Sequence, residues 1–153
     1  MKAAVLTISS SRARRDDDES GTALVALCEE AGLEAIHDAV TDDRDAIATA
    51  LKRLADVEQV RFIFTTGGTG LTHDDVTPEA TRDVIDREAP GFAETIRAES
   101  RNHTPLGILT RGVSGIRGRT LIVNFPGSPK AVRQSWPVVE PTLRHAAETL
   151  ERE

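Results

Sequence analysis

The chain has 153 residues and a formal net charge of −6 at pH 7, with 39% hydrophobic and 3% aromatic residues. This length fits one domain with its own core, so we expect a single domain over residues 1–153. The acidic balance argues against a general nucleic-acid-binding protein, and no run approaches the ~20 apolar residues of a membrane span. Cys28 is the single cysteine, and no signal peptide precedes the first strand. These two features predict a cytoplasmic protein without an intrachain disulfide.

Residues 2–9 predict a buried first strand, because the segment is almost wholly apolar. A polar stretch follows it, and loops at the carboxyl ends of α/β strands are where ligands bind. The serines at 9–11 can offer hydroxyl groups there, and Arg12 can contact a phosphate. The acidic residues 16–19 are interpreted mainly as a solvated loop.

Residues 21–31 predict the first helix, with apolar side chains on one face and Gly32 as its C-terminal glycine. Cys28 lies on the apolar stripe of this helix, so we expect a buried structural thiol rather than a nucleophile. Residues 33–40 predict a second strand. His37, on that strand, is interpreted as an ordinary surface or half-buried histidine.

A second helix follows, and either Thr41 or Asp42 can cap its N-terminus. Asp42 has another possible role, because it lies at the carboxyl end of a strand, on the same edge of the sheet as the glycine turn described next. From the residues alone, capping is the stronger interpretation. The apolar stripe of this helix comprises Ile47, Ala50, Leu51 and Leu54.

The third predicted strand, residues 62–65, leads into three glycines in four positions, GGTG at 67–70. A strand followed by a glycine turn can bring backbone N–H groups against a phosphate or a similar anion. The spacing fits neither a dinucleotide-binding fingerprint nor a Walker A loop. A purely structural turn is the alternative interpretation.

An acidic pair, Asp74 and Asp75, follows this turn. Two carboxylates beside an anion site repel the anion unless a divalent cation lies between them, typically Mg²⁺. The alternative is that they only complement the positive end of the next helix. Thr77 is the predicted N-cap of that helix, with Pro78 at its first position.

The helix after Pro78 is expected to end at residues 90–91, and a further helix runs to about His103. Residues 106–110 and 120–123 are both predicted strands. The glycine-rich segment 111–118 between them is predicted to be a loop.

A second tight turn at residues 125–130 precedes another helix, with Pro129 at its first position. The turn suits close packing of a planar ring or a phosphate, and a plain strand-to-helix connection is the alternative. Because proline disrupts helices, we expect a break near Trp136 and a new helix from Pro137. The alternation of strands and helices predicts an α/β fold, a three-layer αβα sandwich with a mostly parallel central sheet.

Three segments together resemble one known family. They are TTGGTGLTHDDVTPEAT at 65–81, REAPGF at 87–92 and GIRGRTLIVNFPGSPKAV at 115–132. The combination is similar to the MogA/MoaB family, whose members include molybdopterin adenylyltransferase and gephyrin-type G domains. The resemblance covers nearly the whole chain and implies a single molybdopterin-binding domain. It also implies that the phosphate of molybdopterin attacks the α-phosphate of Mg-ATP, so that pyrophosphate leaves.

The resemblance also implies roles for individual residues. Asp42 and Asp75 match the family's two functional carboxylates, which serve catalysis and hold Mg²⁺. The positions matching the nucleotide and phosphate loops are Thr66, Gly67, Gly68, Thr69, Gly70, Asn124, Pro126 and Gly127. Those matching positions near molybdopterin are Ser100, Thr110 and Arg111.

The chain departs from the family pattern at three positions. Asp74 stands where a basic residue is common, Ser10 where an aspartate is frequent, and Thr110 where a serine is common. These departures keep a second function open, a non-catalytic molybdopterin-binding or scaffolding protein of the MoaB type. In both cases the resemblance implies a homo-oligomer, a trimer or a hexamer, whereas the charge and the apolar runs predict no nucleic-acid or membrane partner. The choice between molybdenum and tungsten is left open.

Overall fold

The computed structural model describes residues 1–10 and 18–152, which form six strands and six α-helices. The strands are β1 (Lys2–Ile8), β2 (Glu34–Val40), β3 (Phe62–Thr66), β4 (Arg87–Glu88), β5 (Ser114–Arg117) and β6 (Thr120–Phe125). The helices are α1 (Glu19–Glu30), α2 (Arg44–Lys52), α3 (Thr77–Val84), α4 (Gly91–His103), α5 (Pro129–Val139) and α6 (Leu143–Leu150). No helix in these ranges is long and apolar enough to cross a membrane.

All six strands belong to one sheet, in the order β2-β1-β3-β6-β5-β4. The strands β2, β1, β3 and β6 are parallel, whereas β5 runs antiparallel to β6, and β4 antiparallel to β5. The predicted mostly parallel sheet is therefore confirmed. The chain moves outward from β1 to β2 and then returns to the other side of β1 to form β3. This reversal creates a crevice at the carboxyl ends of β1 and β3, where open α/β sheets bind ligands.

Side chains alternate between two hydrophobic cores along the central strands, as the period of two requires. In β1, Ala3 and Val5 face the core under α1, α4, α5 and α6, whereas Ala4 and Leu6 face the core under α2 and α3. Helices therefore cover both faces of the sheet. This arrangement confirms the three-layer sandwich.

An aromatic cluster fixes α5 against β3. The ring of Trp136 lies edge-on to Phe64, with centroids 5.3 Å apart, and Phe125 meets Phe64 edge-on at 5.8 Å. Such contacts contribute about 0.5–1.5 kcal/mol beyond area burial. They hold the turn before α5 beside the turn that follows β3.

The predicted strand at residues 106–110 is wrong. Residues Pro105–Leu109 form a short 3₁₀ helix, whose first turn is capped by the side chain of Thr104 accepting from the Leu106 N–H. Pro105 fits the start of such a turn but cannot donate to a strand ladder. Leu106 and Ile108 are exposed there, by 68% and 59%.

Two further predictions need correction. The segment 111–118 is not only a loop, because it contains β5, which pairs with β6. The C-terminal break lies at Glu140–Thr142, and α5 continues through Pro137. Pro137 is exposed, so water can replace the hydrogen bond that it removes, while buried Trp136 and Val139 hold the helix in place.

The predicted end of the first helix is confirmed. Gly32 has a φ of +83°, and the Leu33 N–H donates to the Cys28 carbonyl at 2.9 Å, which is the Schellman pattern. Cys28 is fully buried, and burial raises the pKa of its thiol to about 12. The thiol is therefore a packing group, as predicted.

Candidate functional site

An open cleft of about 430 Å³ lies at the carboxyl ends of β1 and β3. Four carboxylate residues line it in the described part of the chain, namely Asp18, Glu19, Asp42 and Asp75. Backbone from two glycine-containing turns completes the lining, at Gly67–Gly68 and at Gly127. None of the described lining residues is basic. The cleft therefore combines exposed peptide groups with strong negative charge.

The first turn depends on Gly67 and Gly68, which have φ values of +98° and +71°. A Cβ on Gly67 would collide with the carbonyl oxygen of Ile8, so glycine is required both by conformation and by close approach. The Thr77 hydroxyl donates to the Gly67 carbonyl at 3.0 Å, and the Thr77 N–H to the Gly68 carbonyl at 3.1 Å. Thr77 therefore holds the turn, and its prediction as the N-cap of α3 is wrong because Val76 occupies that position.

A hydrogen bond joins the first turn to the second one. The Thr66 hydroxyl donates to the Pro126 carbonyl at 2.7 Å. In the second turn, Ser128 caps α5 by accepting from the Ala131 N–H at 3.1 Å, and Pro129 opens the helix as predicted. The two turns therefore form a continuous rim around one side of the cleft.

Asp42 is not the cap of α2. The side chain of Asp43 accepts from the Ala46 N–H at 2.8 Å, so Asp43 is the N-cap. Ser10 donates backbone and side-chain hydrogen bonds to Asp42 instead, which lower its pKa. Burial outweighs them, and together with repulsion from Asp75 and Asp74 it raises the pKa of Asp42 above its ordinary value. Asp42 and Asp75 therefore face the same space.

Asp75 is oriented within its own loop. One carboxylate oxygen, Oδ2, accepts from the Thr72 N–H at 3.1 Å and from the Thr72 hydroxyl at 2.9 Å. Asp74, next to it, has a 77% exposed side chain and lies 3.5 Å from His73. Asp74 therefore adds negative charge at the mouth of the cleft without lining it.

The donor set fits a hard divalent cation. Among the described residues, no cluster of three or more His, Cys, Asp and Glu side chains is arranged to hold a metal ion. Asp42 and Asp75 still supply two carboxylates whose mutual repulsion a cation would relieve. Mg²⁺ commonly binds through one or two carboxylates, with water and substrate phosphates as the other ligands.

Comparison with known proteins identifies the family. A family model described as a probable molybdopterin binding domain matches residues 4–145. The sequence is 41% identical to that of the molybdopterin biosynthesis enzyme MoaB from Thermus thermophilus. The crystal structure of that enzyme matches this chain with a TM-score of 0.90, over 97% of this chain and 95% of that one. This chain belongs to the MogA/MoaB family.

Two curated relatives of this MogA/MoaB chain differ in length. A molybdopterin adenylyltransferase of Helicobacter pylori is 37% identical over 137 residues, covering 88% of this chain and 78% of the relative. The Drosophila melanogaster molybdenum cofactor synthesis protein cinnamon is 42% identical over 145 residues, covering 93% of this chain. The chain spans only 24% of the length of cinnamon.

This MogA/MoaB chain also contains a polar cluster around Asp18 that was not predicted. The Asp18 side chain is only 9% exposed, accepts from the Gly21 N–H at 2.8 Å as N-cap of α1, and contacts the Thr7 hydroxyl. His37 Nε2 lies 3.0 Å from both Asp18 Oδ2 and Thr7 Oγ1. Asp18 is therefore not part of a solvated loop, and the spacing D-x-S-G at residues 18–21, typical of a helix start, is the signal that could have indicated this. Residues 16 and 17 lie outside the described residues, as do Ser11 and Arg12.

The residues matched to molybdopterin lie apart from this cleft. Ser100 is buried in α4, and the Thr110 hydroxyl donates to the Thr69 hydroxyl at 3.2 Å. Arg111 bonds the loop that carries Asp75. Thr110 and Arg111 therefore contact the glycine turn at Thr69 and Gly70, whereas no hydrogen bond among the described residues joins Ser100 to it.

Asn124, which was matched to the nucleotide side, is 2% exposed. Its Nδ2 donates to the hydroxyls of Thr65 at 3.0 Å and Thr81 at 3.1 Å, and its Oδ1 accepts from the Val113 N–H at 3.0 Å. Its amide group is therefore committed to joining β3, α3 and the residue that precedes β5. Pro126 contributes to the rim through its carbonyl, which accepts from the Thr66 hydroxyl.

Proposed function

We propose that this chain catalyses the Mg²⁺-dependent adenylylation of molybdopterin by ATP, a step in the synthesis of molybdenum cofactor. The observation that carries the proposal is the convergence of Asp42 and Asp75 in one cleft, beside the backbone of the Gly67–Gly68 turn. The similarity to the Helicobacter pylori molybdopterin adenylyltransferase, which extends over 88% of this chain, supports it.

Different residues of the cleft bind the nucleotide and the cation. The turn at 67–70 and the rim at Gly127 receive the phosphates and the nucleotide, while Asp42 and Asp75 hold the cation. Bound Mg²⁺ would neutralise phosphate charge that otherwise faces these carboxylates. The molybdopterin phosphate forms a bond to the α-phosphorus of ATP as the bond to pyrophosphate breaks. The attacking phosphate is already ionised, so the chain needs no strong general base.

The proposal extends to the assembly. Residues 1–153 act as one molybdopterin-binding domain, and the chain forms a homo-oligomer, either a trimer or a hexamer. Support comes from the 3₁₀ helix at Pro105–Leu109, which exposes three apolar side chains, Leu106, Ile108 and Leu109. Clustered apolar side chains of this kind mark interaction sites in soluble proteins.

One observation favours a second candidate function, a non-catalytic molybdopterin-binding or scaffolding protein. Asp74 adds its charge to a cleft whose described lining has no basic side chain, and this charge contributes to the raised pKa of Asp42. Such a field opposes a triphosphate. A chain with this function would bind molybdopterin without consuming ATP.

The test is single-turnover conversion of molybdopterin with Mg-ATP, measured as adenylylated product and pyrophosphate. We expect Asp42→Asn and Asp75→Asn each to slow product formation by about a hundredfold or more, because each removes a fixed charge that organises the transferring phosphate. Asp43→Asn is the matched control, because asparagine caps a helix as well as aspartate and Asp43 does not line the cleft.

Circular dichroism and the melting temperature would show that the variants keep the fold. Wild-type turnover in both cleft variants would remove the mechanism. Tight molybdopterin binding without any product would favour the scaffolding function.

A further inference from the structure

The side chain of Arg111 contacts both ends of the loop that carries Asp75. Its Nε donates to the Gly70 carbonyl at 2.8 Å, and its Nη2 donates to the Asp75 carbonyl at 2.7 Å. The backbone N–H of Arg111 also donates to the Thr69 carbonyl at 2.7 Å. One residue therefore ties both ends of the loop at 70–75 to the body of the protein, and its backbone also holds Thr69, which precedes the loop.

Glu79 holds the guanidinium of Arg111 in the orientation that these bonds require. Its Oε2 accepts from Nη1 at 2.8 Å and its Oε1 from Nη2 at 3.1 Å. The bidentate contact with Arg111 lowers the pKa of Glu79, so the pair stays charged. Glu79 lies in the first turn of α3, which places its carboxylate close to the loop. We call this pair the Arg111–Glu79 clamp.

Most donors of Arg111 are already used within the protein. A guanidinium has five N–H groups, and these contacts occupy donors on Nε, Nη1 and Nη2. Among the described residues these contacts leave one N–H of Nη1, so a bidentate contact with a phosphate would have to displace Glu79 or one of the two carbonyl groups. The geometry therefore favours a role in holding the loop over direct recognition of an anion.

Within the described part of the chain, residues 1–10 and 18–152, the loop has little else to fix its position. The side chains of His73 and Asp74 are 95% and 77% exposed, and Leu71 is 66% exposed. The bonds from Thr72 to Asp75 lie within the loop itself and do not join it to another element. Without the clamp, few contacts would set the distance between Asp75 and Asp42.

We propose that Arg111 is a positioning residue, which acts with Glu79 to hold the 70–75 loop so that the Asp75 carboxylate faces Asp42 across the cleft. This inference rests on the proposed role of Asp75 in binding Mg-ATP. The family resemblance places Arg111 near molybdopterin, whereas these contacts direct its side chain to the 70–75 loop. Groups that orient a metal ligand typically change affinity or activity by about 10- to 100-fold when removed.

The experiment measures Mg-ATP and molybdopterin affinity separately, by calorimetry, for Arg111→Lys, Glu79→Gln and the double variant. Lysine keeps the positive charge but cannot bond two carbonyl groups and a carboxylate in one plane. We expect each single variant to weaken Mg-ATP binding about tenfold. The double variant should bind Mg-ATP about as tightly as the single variant with the lower affinity, because both changes break the same clamp. Molybdopterin affinity should change little.

Asp56→Asn is the matched control. Asp56 forms a bidentate contact with Arg117, at 3.0 Å and 2.8 Å, and neither residue lines the cleft. This variant should bind Mg-ATP as the wild type does. It therefore separates the loss of any bidentate ion pair from the loss of the clamp.

Two results would overturn the inference while leaving the proposed function intact. In both, Asp75→Asn weakens Mg-ATP binding. In the first, Arg111→Lys and Glu79→Gln bind Mg-ATP normally. In the second, Arg111→Lys loses molybdopterin affinity alone, which would establish direct phosphate contact. If Asp75→Asn itself binds Mg-ATP normally, the proposed function and the inference both fail. Should Arg111→Lys not fold, Glu79→Gln alone decides, because a carboxylate offers no favourable contact to a phosphate.

Discussion

The environment of Asp42 disfavours the ionised form of its carboxyl group. Burial raises the pKa of this carboxyl, and the charges of Asp75 and Asp74 raise it further against the hydrogen bonds from Ser10. A residue selected only for stability would not be a carboxylate whose charge is opposed by burial and by two other carboxylates. Functional sites commonly retain such costs, because the charge is needed when the substrate is bound.

We therefore expect Asp42→Asn to stabilise the metal-free protein at pH 7, although it removes turnover. A carboxyl whose folded pKa is raised destabilises the folded state once it ionises, and this cost disappears as the pH falls below the ordinary aspartate range. The gain should be about 1–3 °C in melting temperature at neutral pH. It should vanish in acid. A lower melting temperature for Asp42→Asn at pH 7 would contradict the argument.

The caps show what residue types alone cannot decide. Asp42 and Asp43 are chemically identical candidates for the N-cap of α2, and only the extended backbone at Asp43, with φ −129° and ψ 124°, selects the second. Thr77 also has the chemistry of a cap, but its hydroxyl is used by the Gly67 carbonyl. The N-cap of α2 is therefore set by the backbone conformation at Asp43, and Thr77 is kept from capping α3 by its hydrogen bond to Gly67.

At the level of elements, the long buried segments were predictable and the short edge segments were not. Apolar content indicates β1 and β3, because both lie at the centre of the sheet with helices on either face. Arg87 and Glu88 of β4 are exposed and polar, so nothing in their sequence marks a strand, and pairing with β5 alone creates it. The apolar residues at 106–109 predicted a strand that does not form, because Leu106, Ile108 and Leu109 are exposed on a 3₁₀ helix.

The start of α1 offers a test of how closely that helix packs on the sheet. A Cβ on Gly21 would lie within 2.6 Å of side-chain atoms of Asp18, Thr7 and His37. Alanine has the higher helix propensity, but here it would force this polar cluster apart. We expect Gly21→Ala to destabilise the protein by about 1–3 kcal/mol, measured by urea unfolding.

Gly91→Ala is the control for Gly21→Ala, because Gly91 also lies in the first turn of a helix and a Cβ there would meet nothing within 4 Å. It should change the free energy of unfolding by less than about 0.5 kcal/mol. Equal effects of the two substitutions would show that helix propensity, and not the Asp18 cluster, controls the start of α1.

At the scale of the whole molecule, the order of the strands creates the site. Asp42 follows β2 and Asp75 follows β3, and both approach the same cleft because β1 lies between these strands. The sequence indicates each carboxylate and each glycine turn separately, but it does not predict the order of the strands in the sheet. The roles of Asn124 and Arg111 could not be predicted for the same reason, since their partners lie between 11 and 59 residues away.

The proposed assembly has a test at this scale. We expect the wild type to sediment as a homo-oligomer, and Leu106→Ser combined with Ile108→Ser to lower its mass towards the monomer. Burying an exposed leucine or isoleucine contributes about 1.5–3 kcal/mol, and a closed symmetric assembly repeats that contribution in every subunit. Val57→Ser is the matched control, because Val57 is 73% exposed in the turn after α2, away from the 3₁₀ helix at Pro105–Leu109. Its mass should equal that of the wild type. A monomeric wild type at tens of micromolar would refute the oligomer, whereas an unchanged mass in the double variant would place the interface on another surface.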